Sequence, residues 1–457
     1  MRAPDLRRLI AGRRIAGVAL AVAVTIAGGL IAAIAAYLNG EHALPAHEVP
    51  DAALPHDAAT PARSSYRGVL LVGSSVGPLR HPHGRIERVF LQGQGVRVER
   101  IDHPESDVVH VVRADHDGSM LVAAGGPALL ERWTRVDGTW TRRTLWRARF
   151  GLSSRMRDLE RGSVWDPVAQ AEGDALVVGT HDEGVVALVT PTIDGEPRVV
   201  EIDREPRTLV HEIELGDLDG NGAIEIYATR SPPNTLVPGV VQPGSVVRYV
   251  PSLADASGRV AREVLIDLAP RHAKEILASD LDGDGRDELY VVVEALLRTD
   301  STGSHVIEPV EVRRITSERP PPGDVIAHFD DRTTRFLTAG DIDGDGRREL
   351  VAATFSAGLW VLRPSDDATR PWTRELVDDA SGGYEHAIAL ADLDGNGAEE
   401  IYAADDPSHE LRRYSWGERG WHREVLVQHD AGEERITWSL AAAPASAGAG
   451  ANSSGFE

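Results

Sequence analysis

The sequence predicts an all-β fold, a seven-bladed β-propeller, and three observations predict it. A nine-residue acidic loop is written four times, beginning at Asp217, Asp280, Asp341 and Asp392. Hairpins with outer strands resembling W-x-R-x-x-L recur seven times between Gly84 and Val427. The ordered part starts on a strand without its first partner, GVLLVGS, and ends on a strand with nothing after it, ITWSLAAA from Ile436. A propeller closes in that way, the last strand completing the first blade and removing a long open edge. The repeat runs slightly above the roughly 40–50 residues of common propeller blades.

In chain order, residues 1–14 form a basic segment with Arg2, Arg7, Arg8, Arg13 and Arg14 against Asp5. Residues 15–38 carry no charge and are long enough to span the roughly 30 Å hydrocarbon core as a helix. The expectation is a single transmembrane anchor ahead of the propeller, with the basic end cytoplasmic and everything after it outside. A cleaved signal peptide is the competing reading, since Ala33-Ile34-Ala35 offers small residues; either way the rest of the chain is exported. Residues 39–65, rich in Ala, Pro and His, read as a tether, 66–442 as the propeller, and 443–457 as a disordered tail.

Composition narrows the function. The net charge of −23 without a basic face argues against nucleic acid, and no nucleotide-binding loop is present. The absence of cysteine excludes disulfides, iron–sulfur clusters and thiolate zinc sites.

The acidic loops carry the chemistry. Positions 1, 3, 5 and 9 are Asp217, Asp219, Asn221 and Glu225 in the first copy and Asp280, Asp282, Asp284 and Glu288 in the second. They are Asp341, Asp343, Asp345 and Glu349 in the third, and Asp392, Asp394, Asn396 and Glu400 in the fourth. Position 7, offering its backbone carbonyl, is Ala223, Arg286, Arg347 and Ala398. Hard oxygens at every second position, with glycine allowing a sharp curl, make a cage suited to Ca²⁺. An EF-hand would need Glu at position 12, where Ala228, Val291, Ala352 and Ala403 stand, and a helix after it. Ordinary turn chemistry accounts for one Asp-Gly pair but not for four oxygens kept together in four copies. The expectation is about four structural calcium ions.

With these residues in hand, the chain resembles the FG-GAP/VCBS repeat family of integrin-α-type propellers, although Glu replaces the Asp often found at position 9. The resemblance implies a calcium-binding propeller that binds or scaffolds an unidentified protein or glycan. The alternative it carries is a carbohydrate-active lyase or dehydratase using histidines at the channel mouth.

Those histidines belong to a second pattern. Six residues before each loop stand His211, Lys274, Arg335 and His386, with His110 and His272 near the same level. They read as charge compensating the acidic loops, or else as an anion, metal or sugar site. Gly73-Ser74-Ser75-Val76-Gly77 matches a nucleophile elbow, but Pro78 and a polar loop follow where a helix is required. His81 and His83 read as solvated, and Trp140, Trp372 and Trp421 as packing between blades.

Overall fold

The computed structural model describes residues 66–444 apart from 79–80, 94, 149–154, 192–194, 233–242, 256–257, 302, 366–371 and 380–386. Period-two runs separated by Gly, Asp and Pro turns fold into seven antiparallel four-stranded sheets, all within one compact unit. Blade 1 pairs Tyr66–Val76, His83–Gly93 and Gly95–Asp102 with the chain's final strand, Arg435–Pro444. Blade 2 runs from Val109–Ala114 to Thr139–Arg147, blade 3 from Met156–Asp166 to Pro197–Asp203, and blade 4 from Leu209–Gly216 to Arg262–Asp267. Blade 5 joins Ala273–Ser279, Glu288–Val293, Val310–Ile315 and Asp324–Phe329. Blade 6 runs from Thr334–Gly340 to Thr373–Asp378, and blade 7 from Ile388–Ala391 to Gly420–Gln428. A further hairpin, Leu296–Asp300 with Gly303–Glu308, forms a two-stranded sheet of its own.

The unpaired terminal strands do meet, with Val69 opposite Ala443 and Val76 opposite Arg435. The junction is held by a buried ion pair, Arg435 Nη1 to Glu87 Oε2 at 3.0 Å. Seven apolar clusters hold the fold, and each joins two neighbouring blades, the cluster of Leu70 with Leu393 closing the circle. Because each blade meets a neighbour on both faces, the second strands of blades 2, 4, 5, 6 and 7 are buried throughout, as in Glu288–Val293 and Glu400–Asp405. Alternation between wet and dry faces is therefore absent on the strands that follow the acidic loops. It survives on the outer strands, where one face is wet.

The tryptophans pack between blades as expected. Trp140 Nε1 donates across to Glu99 at 3.1 Å, Trp421 Nε1 to Glu375 at 2.9 Å, and Trp372 meets the Tyr290 ring at 5.8 Å. The Gly73–Gly77 stretch lies in and just after a strand, which bears out its dismissal as an elbow. Among the described residues no helix is long and apolar enough to cross a membrane. The expected anchor at 15–38, the tether and most of the tail lie outside the described residues.

Candidate metal loops and the channel

The four acidic loops connect the first and second strands of blades 4, 5, 6 and 7, so they occupy one arc of consecutive blades. Each curls by placing glycines 4 and 6 at positive φ, +74° at Gly395 and +94° at Gly397 in the last copy. The curl wraps the position-1 carboxylate in backbone amides. Asp392 Oδ1 accepts from Gly395 N at 2.6 Å and Asn396 N at 3.1 Å, and Oδ2 accepts from Gly397 N at 2.9 Å. Asp280 and Asp341 make the same three bonds, and Asp217 makes two of them, from Asn221 N and Gly222 N. Position 5 is fixed likewise, Asp345 Oδ1 accepting from Arg347 N at 2.8 Å.

Position 9 closes the loop from the start of the second strand. Leu281 N donates to Glu288 Oε2 at 2.9 Å, Ile342 N to Glu349 at 3.1 Å and Leu393 N to Glu400 at 3.1 Å. Oxygens of Asp280, Asp282 and Asp284 lie within 4.8 Å of one another, as do those of Asp341, Asp343 and Glu349, and of Asp392, Asp394 and Glu400. The first loop, with Asn221 at position 5, brings Asp217, Asp219 and Glu225 to the same turn without such a carboxylate group. The position-7 residues contribute main chain to each curl, and Arg286 also makes an ion pair with Glu318 at 3.0 Å.

Three features were not read from the sequence. Tyrosine at position 11 donates its hydroxyl to the position-9 carboxylate, Tyr290 to Glu288 at 3.1 Å and Tyr402 to Glu400 at 2.8 Å, with Tyr227 bonding Glu225 as well. Position 8 bridges to the preceding blade: Asp287 Oδ2 accepts from Asp217 N at 2.8 Å, and Glu399 Oε2 from Asp341 N at 2.8 Å. Finally, an arginine on the third strand reaches the loop. Arg248 binds Glu225 at 2.9 Å, Arg314 binds both Asp282 and Glu288, and Arg363 binds Asp343 at 2.7 Å and Glu349 at 3.2 Å. In blade 7 the residue at the matching register, Arg413 opposite Tyr402, pairs with Glu424 instead.

Burial first, ahead of the neighbouring acids, pushes the four position-9 carboxyls above their ordinary range, Glu349 up to about 7 and Glu400 up to about 8. Within the described acidic loops, two carboxylate oxygens, Asp343 Oδ1 and Glu400 Oε1, are buried without a hydrogen-bond partner. Buried acceptors are almost always satisfied, so these two oxygens have the capacity to accept a cation. Both belong to groups of three convergent carboxylates, the donor set that Ca²⁺ prefers. The residues present fit the ion.

The channel residues are arranged by a device of their own. On the innermost strands of blades 1 to 6 the pairing slips, leaving a bulged residue at His110, Arg157, Lys274, Arg335 and Trp438, and His211 with Glu212 on blade 4. The structure thus places His211, Lys274 and Arg335 at equivalent positions, as expected; His386 lies outside the described residues. It adds Arg157, Trp438 and His181, which the repeat spacing did not single out. The His181 ring stands 5.0 Å from His211 and 6.5 Å from His110, and Trp438 meets His110 edge-on at 4.9 Å. His110 Nδ1 donates to Met156 O at 2.7 Å. Burial and then the surrounding cationic groups hold all three imidazoles well below their usual pKa, so they are neutral. The carboxylates that follow the bulges stitch blade to blade: Asp158 accepts from Ile213 N at 2.7 Å and Glu275 from Leu337 N at 2.9 Å. His110 and His211 are 1% and 6% exposed, which leaves them packed against neighbours.

With the geometry in place, comparison with known proteins identifies the repeat. Residues 341–403, spanning the third and fourth loops, match the family described as FG-GAP-like repeat. The chain carries an FG-GAP-like repeat. No curated protein matches it. Among solved structures, it is similar to a proposed 6-phosphogluconolactonase from Bacteroides uniformis, at 10% identity over 82% of this chain and 99% of that one, with a TM-score of 0.47. It is also similar to a PQQ-bound aldose sugar dehydrogenase from Streptomyces coelicolor, at 16% identity over 59% and 83% of the two chains and a TM-score of 0.34. An exotype rhamnogalacturonan lyase matches at 16% identity over 81% and 68%, with a TM-score of 0.30. The FG-GAP loops, and not these likenesses, are what bear on function.

Proposed function

We propose that this FG-GAP-repeat propeller is a calcium-stapled binding or scaffold module, held outside the cytoplasm by its N-terminal segment and presenting its loops to a protein or glycan. The observation that carries the calcium reading is the pair of unpartnered buried oxygens, Asp343 Oδ1 and Glu400 Oε1, inside curled acidic loops. Calcium bound there supplies a divalent charge that ties the first strand of a blade to its second. The chain's own part is to hold the oxygens: glycines set the curl, main-chain amides fix the first carboxylate, and Tyr402 or Arg363 orients the ninth. The packed, neutral channel imidazoles support a structural centre over a catalytic one.

The test is a calcium count by equilibrium dialysis on the full chain, paired with thermal melts in calcium and in chelator. Four bound ions and a raised melting temperature support the reading; no bound ion and no shift would sink it. The tether is tested separately: protease added to intact cells should remove the propeller and leave the N-terminal segment with the membrane.

A further inference from the structure

A cavity of about 430 Å³ opens beside the third loop, between blades 6 and 7. Its wall is the half-buried indole of Trp416 on the third strand of blade 7, steadied by Trp421 at 5.1 Å between ring centroids. Thr373 and Glu375, on the outermost strand of blade 6, form a second side, and Arg347 and Arg363 a third. The Arg363 guanidinium is locked in place. Its Nη1 binds Asp343 Oδ2 at 2.7 Å, its Nε binds Glu375 at 3.2 Å, and its carbon stands 5.7 Å from the Trp416 ring centre. Its Nη2 has no hydrogen-bond partner.

We propose that this cavity is a binding site for a neutral sugar ring. The volume falls in the range of small-molecule sites, about 300–1,000 Å³. An indole offers an apolar face to the C–H side of a pyranose. Guanidinium donors and carboxylate acceptors stand around it, and hydroxyl groups can satisfy both kinds at once. The charges argue against an anion: Asp343, Asp345, Glu349 and Glu375 outnumber Arg347 and Arg363, and a calcium ion in the loop would only balance them. Asp343, Asp345, Arg347 and Glu349, positions 3, 5, 7 and 9 of the metal loop, also line the cavity, so the sugar site lies against the staple and is set apart from it by Trp416, Thr373 and Glu375. The inference rests on the reading of the propeller as a binding module and names the ligand class.

The experiment is saturation-transfer NMR on the full chain in saturating calcium. The probes are the methyl glycosides of mannose, galactose and N-acetylglucosamine, with glucuronate and putrescine as charged controls. At least one neutral glycoside should bind, and Trp416→Ala should weaken it tenfold or more while Trp416→Phe retains it. Thr373 is exposed, so Thr373→Trp should fill the cavity and abolish binding without changing the melting temperature or the calcium count. Binding of putrescine alone, binding of glucuronate as strong as that of the glycosides, or binding indifferent to Thr373→Trp would overturn the proposal. So would silence from every probe. If the chain in that case still takes up calcium and gains stability from it, the sugar site falls and the calcium staple stands; loss of both would take down the two readings together.

Discussion

Blade 2 and blade 7 place carboxylates at the same corner, between the first and second strands, and neutralise them differently. In blade 2 the turn keeps Asp115 and Asp117, and two guanidiniums close on Asp115: Arg132 from the third strand and Arg161 from the neighbouring blade. In blade 7 the loop is full length, the matching arginine turns away to Glu424, and Glu400 Oε1 has no partner. Blades 4 to 6 stand between, each with a complete loop and an arginine on its ninth residue. A buried carboxylate needs a positive partner, and removing it leaves an uncompensated charge. Blade 2 uses guanidiniums held covalently in the chain; under the calcium reading proposed above, blade 7 would use an ion drawn from solution. Only the second makes stability depend on the surroundings.

The largest effect expected from this contrast is on chelation. At free calcium of 100 times Kd, each independent site should contribute about 2.7 kcal/mol, so chelator should lower the melting temperature of the full chain by many degrees. Native-state hydrogen exchange would locate the change: faster exchange in the second strands of blades 4 to 7, and little in blade 2. Uniform loosening of all seven blades would break the comparison.

Next comes Glu400→Gln against Glu225→Gln. The first should lower the calcium count by one and forfeit that site's share of about 2.7 kcal/mol. The second removes one of the two carboxylate partners of Arg248, Glu263 remaining, and should cost about 1.5–3 kcal/mol already in chelator, before any share of its own calcium site. Isothermal titration beside urea unfolding in chelator separates the two. An equal cost in chelator for both variants would mean that the arginine does not distinguish the loops.

Arg132→Met tests the covalent cation directly. It leaves Asp115, 4% exposed, with Arg161 alone, at an expected cost of about 1.5–3 kcal/mol, the same in calcium and chelator. If added calcium restores the lost stability, blade 2 holds a latent metal site and the division between the two devices dissolves.

What could be read from the sequence was whatever lies within a few residues along the chain. The loop ligands, the glycines at positive φ, the strand closing on Tyr66–Val76 and the blade-matched tryptophans all follow from local spacing. The arginines do not, because their meaning depends on register: Arg248 faces Tyr227 and Arg314 faces Tyr290 across a strand pair. Nothing near Arg413 in sequence says that it turns to Glu424. His181 joins the channel group from the end of a second strand, and Trp438 enters through a bulge, so neither shares the six-residue offset of His211, Lys274 and Arg335. The cavity beside Trp416 is made by residues from two blades and has no linear signature.

The smallest expected effect is at the closing blade, one that uses no acidic loop. The closing seam relies on Glu87 with Arg435, and beside it His429 is pushed down to about 4, by burial first and then by Arg435. His429 is therefore neutral in the fold and gains a proton on unfolding once the pH drops below its ordinary value of about 6.5. Stability from this group is intact above about 6.5 and is lost as pH falls toward about 4; at pH 5 the loss comes to about 2 kcal/mol. His429→Gln cannot take up that proton, so between pH 7 and 5 its urea midpoint should fall less than that of the parent chain. The acid sensitivity it removes should be the same in calcium and in chelator, because the seam is held by fixed charges. A seam whose pH dependence changed with calcium would show that the loops of blades 4 to 7 and the closure of blade 1 unfold as one cooperative unit.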